Sequence, residues 1–572
     1  MPSHPHVWPA DRWNTRPVKA RVLAVARTLT SATRVLDVLT LLAPDGIERY
    51  FTVNPGSAFA DRALDEYLHG LPGYTVLDWE EAVRRRFDLA VSCAVHASMH
   101  RLDARLVVLP HGAGYNRLVT ESTGDTVTAA GLSRNELTHH GRVFVDVLGL
   151  SHPEQLDRLR ASCPEALDVA RVVGDPCFDR ILRSERSRDG YRAALGAVRR
   201  QLVVVDSTWS AHSLFGRHPD LPRRLVRQLP ADEYAVAVVL HPNIWSRHDP
   251  AGLLDDARRM GLRLIPPHQG WQAALVAADF MIGDHGSVSF YGAALGRRTA
   301  VVTTGAAELD PRSPSYAFGQ AAPVLDPDGD LAAQVERALA QAPEAPDAPN
   351  RLAAITDRSL AHRGRSAQVL RPLLYSFLDG LDEPAGEPLL APYPRPVPHP
   401  GGNGGNSGDG GSSDGPTAYD VEGKSEGTEV SLRRYPFHPA DHTPRGFHAL
   451  TDDHPGDALR YTAEVLARTE AHAERPALGW LADTARELPG LAVAVAALGP
   501  ARHVLRLRTG RLLEARAEPA FGDPDAVLDP LLLGSAVACW LADGGDPAGL
   551  PDHGLTVRTG RHRTRVSFSP GP

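Results

Sequence analysis

The chain has 572 residues, with 61 Lys and Arg against 69 Asp and Glu, a formal net charge of −8. That length calls for two to four domains rather than one core, and 42% apolar with 23% charged residues is the composition of a soluble globular protein. The acidic balance removes any global pull toward nucleic acid, so no nucleic-acid partner is expected.

Cys93, Cys163, Cys177 and Cys539 form no Cys-x-x-Cys pair, so neither a disulfide framework nor a zinc knuckle is expected, and a reducing cytoplasm fits. The opening MPSHPHVWPADRW lacks a secretory apolar segment. The longest apolar runs, 491–499 and 531–542, are about half of the ~20 residues a spanning helix needs. The expectation is a cytoplasmic protein that meets, at most, the inner face of a membrane.

From the N-terminus, short β-branched runs alternate with helical stretches. The pattern predicts strands at 18–27, 48–53, 88–94, 106–110, 142–150 and 170–174, with helices such as 31–42 and 153–162 between them. A second series has strands at 201–206, 234–240, 262–265, 280–282 and 299–302, separated by helices near 221–229, 250–260, 271–278 and 287–295. Continuous apolar strands between amphipathic helices belong to parallel sheets covered on both faces. Two such series predict two doubly wound α/β domains, 1–184 and 185–384, the second closed by a helical stretch at 351–378 that breaks at Pro372. Residues 385–428 run AGEPLLAPYPRPVPHP into GGNGGNSGDGGSSDG and predict a disordered linker. Beyond it, 429–572 is expected to be a small mixed α+β domain of unassigned role, with a helix at 458–469 and short strands at 504–507 and 555–557.

Open α/β sheets bind ligands beyond the carboxyl ends of their strands. Five such junctions carry unusual residues. LVVLP leads into His111-Gly112, RVVG into Asp175-Pro176-Cys177-Phe178-Asp179, and VVVD into Ser207-Thr208-Trp209. AVVL leads into His241-Pro242-Asn243, and FMIG into Asp284-His285-Gly286-Ser287. At the last junction a helix starting at Ser287 would offer free N–H groups and its dipole to a phosphate. Equally, Ser287 caps the helix and Gly286 eases a turn, and Asp284 fits either capping or ribose binding. His111 and His241 each end an apolar strand, one in each domain, and would face each other across a cleft. Imidazole suits proton abstraction near neutral pH.

Other patterns fail. Gly423-Lys424-Ser425 lacks the first glycine of a P-loop, Ala418 standing there. Asp326, Asp328 and Asp330 lack the closing glutamate of a calcium loop, the twelfth position being Arg337. No zinc spacing occurs, so no metal and no cofactor are expected.

In this order the motifs resemble the CDP-glycerol glycerophosphotransferases of teichoic acid synthesis, proteins of the two-domain GT-B fold. The matching pieces are His111-Gly112, the GDPCFD run at 174–179 for the family's Gly-x-Pro-x-x-Asp, Ser207-Thr208-Trp209 for its Pro-Thr-aromatic, His241-Pro242, and 278–295. They cover 105–305 in motif detail and 18–380 as architecture. The resemblance implies transfer of a glycerol-phosphate-like group from a CDP-linked or other nucleotide-activated donor to an acceptor hydroxyl, on a polyol phosphate or a lipid-linked acceptor. His111 would be the general base and His241 would stabilise charge on the phosphoryl group or departing CMP. Gly112, Ser207, Thr208, Asp284, His285, Gly286 and Ser287 would bind substrate.

Departures accompany it. The family's tyrosine and first serine are His285 and Gly286, its arginine after Pro-Thr-aromatic is Ser210, and no basic residue precedes His241, Val239 and Leu240 standing there. These imply weaker phosphate binding, another donor or lost activity, with His285 restoring some positive charge if protonated. The alternatives on the same scaffold are a nucleotide-sugar glycosyltransferase, a UDP-sugar 2-epimerase-like enzyme, and a non-catalytic nucleotide-binding or regulatory protein. Arg84-Arg85-Arg86 and Arg223-Arg224 are small basic groups that fit solvated helix faces, or peripheral contact with anionic lipid.

Overall fold

The computed structural model describes residues 17–56, 62–341, 351–388, 390–400, 415–439, 445–518 and 528–571. Seven parallel strands form the first sheet: β1 (Ala20–Ala26), β2 (Ile47–Val53), β3 (Thr75–Leu77), β4 (Arg86–Ser92), β5 (Asp103–Val108), β6 (Val147–Leu150) and β7 (Ala170–Val172). Their order is β3-β2-β1-β4-β5-β6-β7. The second sheet contains β8 (Gln201–Ser207), β9 (Tyr234–Leu240), β10 (Arg263–Ile265), β11 (Phe280–Gly283) and β12 (Arg298–Val301), ordered β10-β9-β8-β11-β12 and also parallel. Helices cover both faces, which is why the strands are almost unbroken Val, Leu, Ile and Ala; Leu23, Ala24, Val25 and Ala26 are wholly buried. Each strand predicted in the two series falls on one of these, while β3 is too short to show a period. Two such domains facing each other are the GT-B arrangement.

Strand order reverses between β1 and β4 in one sheet and between β8 and β11 in the other, all strands staying parallel. At such switch points the following loops splay apart and leave a crevice. Helix α1 (Leu29–Leu39) follows β1, started by a reciprocal cap between Thr28 and Ser31. Helix α2 (Pro176–Ser184) carries the chain toward the second sheet. Pro176 occupies its first turn, and Asp175 caps it by accepting the Phe178 N–H at 3.0 Å.

Helix α3 (Ser287–Ala294) follows β11, and α4 (Ser366–Tyr375) returns to the first domain, burying Leu370 and Leu374 completely in its core. Each of those leucines contributes roughly 1.5–3 kcal/mol. The break expected at Pro372 lies instead at 358–365, where His362 and Gly364 take left-handed backbone. Pro372 is tolerated inside α4 because the carbonyl it deprives, that of Gln368, sits on the exposed face. Asp179, last residue of the GDPCFD run, accepts the Gly364 N–H at 2.6 Å, the Ser366 N–H at 2.7 Å and the Ser366 hydroxyl. The motif therefore ties α2 to the start of α4.

The Pro-rich half of the expected linker is not free. Residues 390–400 form an extended strap across both domains. Leu390 and Tyr393 are buried, and the Tyr191 hydroxyl donates to the Tyr393 carbonyl at 2.5 Å. The Val397 and His399 N–H groups donate to the carbonyls of Gln269 and Leu264. Composition hid this because two anchoring side chains, with Pro396 buried beside them, suffice to fix a stretch whose other residues are exposed or half-buried. Residues 401–414, the Gly/Ser-rich half, lie outside the described residues.

The last unit is a closed, mixed barrel: β13 (Ala418–Glu426), β14 (Glu429–Pro436), β15 (Phe447–Thr451), β16 (Val465–Arg468), β17 (Val493–Ala497), β18 (Arg502–Leu507), β19 (Leu512–Glu518), β20 (Leu555–Thr559) and β21 (His562–Pro570). Its core is completed by α5 (Pro530–Ala542), apolar on all sides. A Cβ on Gly534 would lie 2.6 Å from Val465, so only glycine lets α5 approach. The helix predicted at 458–469 is confined to Asp457–Arg460, and β16 takes the rest. Val465, Leu466 and Ala467 are buried between two neighbouring strands, and that pairing overrides the helix preference of the alanines. The barrel is docked on the second domain through Arg434, which meets Asp232 at 2.6 Å and Asp529 at 2.5 Å.

His503, on β18, is 1% exposed and neither ring nitrogen makes a hydrogen bond of good geometry among the described residues. Burial pushes its pKa down to about 4, against the opposing pull of Asp529. The folded value lies below the unfolded ~6.5, so the stability it leaves intact is complete above pH 6.5 and is lost as pH falls toward 4. We expect the melting temperature to drop between pH 7 and 4.5, and the drop to be smaller in His503→Leu. Parallel curves for both proteins would contradict this.

Candidate functional site

The carboxyl edges of the two sheets enclose a cavity of about 720 Å³ whose walls include both His111 and His241. His111 follows β5 and is open to the cavity. Its Nδ1 lies 3.1 Å from the Cys93 carbonyl, which can only accept, so Nδ1 carries the proton and Nε2 keeps a lone pair. Surrounding protein lowers its pKa, helped by Arg34, Arg27 and Arg117 and opposed by that carbonyl. His241 follows β9 and has the opposite tautomer. Its Nδ1 accepts the Asn243 N–H at 3.1 Å, capping a short helix, and Nε2 carries the proton. Burial, then Arg117 and His111, push its pKa down to about 3. A second proton on this ring would also have to displace the Asn243 N–H. One imidazole thus offers an acceptor and the other a donor.

Three arginines, all from the first domain, add positive charge to the walls. Arg34 Nε donates to the His111 carbonyl at 3.2 Å, and its guanidinium lies 5.1 Å from the Trp271 ring. Arg117 stacks over Trp209 at 4.3 Å, and donates to the Thr208 hydroxyl at 3.4 Å and the Trp209 carbonyl at 3.2 Å. Arg27 donates to the Val95 carbonyl. Sequence reasoning missed these, along with Glu308. Arg27 and Arg34 flank the first βα turn, a position that could have drawn notice. In a chain whose lysines are only Lys19 and Lys424, however, no single arginine stands out.

The residues expected to bind substrate divide. Asp284 is completely buried and accepts from the Ser207 hydroxyl and from the N–H groups of Thr208, Leu214 and Gly286. It organises two loops and touches no cavity wall, so it cannot meet a ribose. Ser207 is likewise occupied, donating to Asp284 and accepting the Phe215 N–H at 2.9 Å, although it borders the cavity. Thr208, His285, Gly286 and Ser287 all line the cavity, as does Gly112 from the other side.

The Ser287 hydroxyl accepts the Ala113 N–H at 3.2 Å, across the cleft, and a Cβ on Gly112 would sit 2.5 Å from it. Glycine at 112 is therefore the condition for the domains to close this far. The Ser287 and Val288 N–H groups at the start of α3 make no hydrogen bond among the described residues and remain available to an anion. Behind them the Ser289 hydroxyl donates to Asp206, whose carboxyl is raised well above its usual range by burial and by Asp284. Four buried polar atoms on the walls have no partner among the described residues: Arg27 Nε, Thr30 Oγ1, Asn116 Oδ1 and His285 Nδ1. Buried polar atoms are seldom left so; these four belong to residues that line one cavity, although the atoms themselves are sealed from it. No three His, Cys, Asp or Glu side chains among the described residues converge as metal ligands, and no helix among them is long and apolar enough to cross a membrane.

No protein-family model matches the chain, and no curated protein matches its sequence. Among solved structures it is similar to the wall teichoic acid polymerase TagF, at 13% identity and TM-score 0.43 over 63% of this chain and 89% of that one. It is also similar to the S. aureus MnaA–UDP co-structure, at 11% identity and TM-score 0.38 over 61% and 94%. A UDP-GlcNAc 2-epimerase from Neisseria meningitidis bound to UDP-GlcNAc matches at 10% identity and TM-score 0.38 over 62% and 100%.

Removing the Asp284 carboxylate strands several buried donors at once. Asp284→Ala is expected to destabilise the second domain by about 3–5 kcal/mol, read as a lower denaturant midpoint. A stability loss within about 0.5 kcal/mol, on the scale of ordinary surface substitutions, would show that the loops hold without it.

Proposed function

We propose that the cleft transfers a glycerol-phosphate-like group from a CDP-linked donor to an acceptor hydroxyl, with His111 as general base. The observation that carries the reading is the pair of complementary tautomers. The lone pair on His111 Nε2 is suited to take the acceptor's proton, and the N–H on His241 Nε2 is suited to hydrogen-bond a phosphoryl oxygen or the departing CMP. Since its pKa is depressed so far, His241 acts as a neutral donor at physiological pH rather than as an imidazolium. The Ser287 and Val288 N–H groups, Thr208 and Arg117 surround the place for the diphosphate, and Trp209 and Trp271 supply flat apolar surface for a base.

Ser210 stands where the resembled family has arginine, and Arg117 meets the same Thr208-Trp209 turn from the opposite domain. That supports retained anion binding. Contact with a lipid-linked acceptor, and hence with the inner membrane face, belongs to the same proposal, as do the cytoplasmic placing and the boundary of the donor-side domain near residue 185.

CMP release from CDP-glycerol, in the presence of a polyol-phosphate acceptor, is the assay. His111→Ala is expected to lower kcat/KM about 10²–10⁴-fold. The base works when unprotonated and its pKa is lowered from ~6.5. Wild-type kcat/KM should therefore stay level above pH 6.5 and fall only below it. UDP release from a UDP-sugar, or undiminished CMP release in His111→Ala, would overturn the proposal.

A further inference from the structure

Of the three arginines on the cavity walls, two already face a carboxylate. Arg34 has Asp37 at 3.7 Å and Arg117 has Glu308 at 3.1 Å. Arg27 has no carboxylate within 4 Å among the described residues. Its Nη1 donates to the neutral Val95 carbonyl at 3.3 Å. Its Nε is sealed, whereas its Nη2 makes no hydrogen bond among the described residues and stays accessible in a half-buried side chain. The carboxyl group whose charge acts on Arg27 is Glu136, and that group is committed elsewhere. One of its oxygens accepts the Ser122 hydroxyl and the other accepts the Gly131 N–H at 2.7 Å. Burial loosens the hold of Arg27 on its proton, and Glu136 only partly opposes that. A guanidinium drawn out of water without a counter-ion is costly, and an anion in the cavity would remove the cost.

A second donor stands on the same wall. His96, also half-buried, lines the cavity, and its Nδ1 accepts the Ser98 N–H at 3.3 Å. The Ser98 hydroxyl lies 2.8 Å from the same nitrogen and itself accepts the Asn54 side-chain N–H at 2.9 Å. Nδ1 is therefore the acceptor, and the ring proton is on Nε2. That Nε2 makes no hydrogen bond among the described residues and is not sealed. Burial and the Arg27 charge both lower the pKa of His96, so the ring is a neutral donor beside a cation.

Their place in the fold says which substrate they meet. Arg27 follows β1, His96 follows β4 and His111 follows β5, three strands that are neighbours in the first sheet. Neighbouring strands are about 4.8 Å apart, and the Arg27 charge is felt at His111. The groups set for the donor's diphosphate, Thr208 and the Ser287 and Val288 N–H groups, belong to the second domain. We propose that Arg27 and His96 form a second anion subsite, which holds a phosphate carried by the acceptor within a few bonds of the hydroxyl that His111 deprotonates. The cleft thereby selects a phosphorylated polyol over a neutral one. This rests on the transferase reading of the cleft, and it names the residues that read the acceptor.

The experiment is calorimetric titration of glycerol 3-phosphate, and separately of glycerol, into the full chain saturated with CMP, so that the donor's phosphate place is filled first. Wild type is expected to bind glycerol 3-phosphate about tenfold or more tightly than glycerol. Arg27→Gln should weaken glycerol 3-phosphate roughly 10–100-fold, the scale of hydrogen bonds to a charged group, and His96→Phe should weaken it several-fold. CMP affinity should stay within about twofold of wild type in both, which also reports an intact fold. Arg27→Lys keeps the charge and should recover most of the loss. No preference for glycerol 3-phosphate in wild type, or unchanged affinity for it in both Arg27→Gln and His96→Phe, overturns the subsite and leaves the cleft reading standing. A parallel loss of CMP affinity in Arg27→Gln gives the guanidinium to the donor and overturns the subsite as well. Failure of CMP to bind wild type overturns the nucleotide reading itself.

Discussion

The geometry of the cleft depends on one guanidinium held where the two domains meet. Arg34, on α1, is 7% exposed, and burial alone would weaken its hold on its proton. Tyr291, Tyr393, Asp37 and Asp175 more than offset that, so the group is more firmly charged than a free arginine. These partners come from different stretches of chain: α1 itself, the cap of α2, α3 of the second domain, and the Pro-rich strap. They are also joined to one another, Tyr291 donating to Asp175 at 2.5 Å and Tyr393 to Asp37 at 2.7 Å. Separating the domains would take Tyr291 away from this cluster while leaving Asp37 and Asp175, both on the first domain, beside the guanidinium. The same guanidinium bonds the His111 carbonyl, so what joins the domains also sets the backbone from which His111 reaches the cavity. That is preorganisation in a literal sense, since the orientation of the imidazole is settled during folding and not when ligand arrives.

What could be read in advance follows from this. The strands and the histidines at their ends were legible because parallel sheets impose apolar runs and put function at the carboxyl edge. Hydrogen-bond partners were not, because a sequence does not say which way a side chain turns. Ser207 and Asp284 sit at the expected junctions, yet one turns its hydroxyl into the protein and the other is sealed from the cavity. Arg117 and Glu308 are far apart in sequence and meet only through tertiary structure. The barrel was illegible for a related reason. Its strand pairing mixes parallel with antiparallel, and β16 is rich in residues that suit a helix equally well. The strap failed differently, because proline-rich composition reports missing helix and sheet and says nothing about two buried anchors.

The strap also alters how the C-terminal barrel relates to the cleft. Tyr393 contacts Asp37 at one end, while Val397 and His399 pair with the 264–269 stretch that leads to Pro267 and Trp271 on the cavity wall. The barrel is joined to the second domain by ion pairs, Arg434 with Asp232, Arg227 with Asp420 and Arg433 with Glu233.

Arg117 brings the argument back to the missing cation at residue 210. An arginine on that turn would belong to the donor side whether the domains were together or apart. Arg117 belongs to the other domain, and it reaches Thr208 because its own stretch pairs with the 308–310 segment, Leu118 N–H to Glu308 carbonyl and Asp310 N–H to Asn116 carbonyl, each at 2.9 Å. Charge for an incoming phosphate is thus present only when the domains are closed. Glu308 pairs with that guanidinium at 3.1 Å, so an anion in the cleft would share it with a carboxylate.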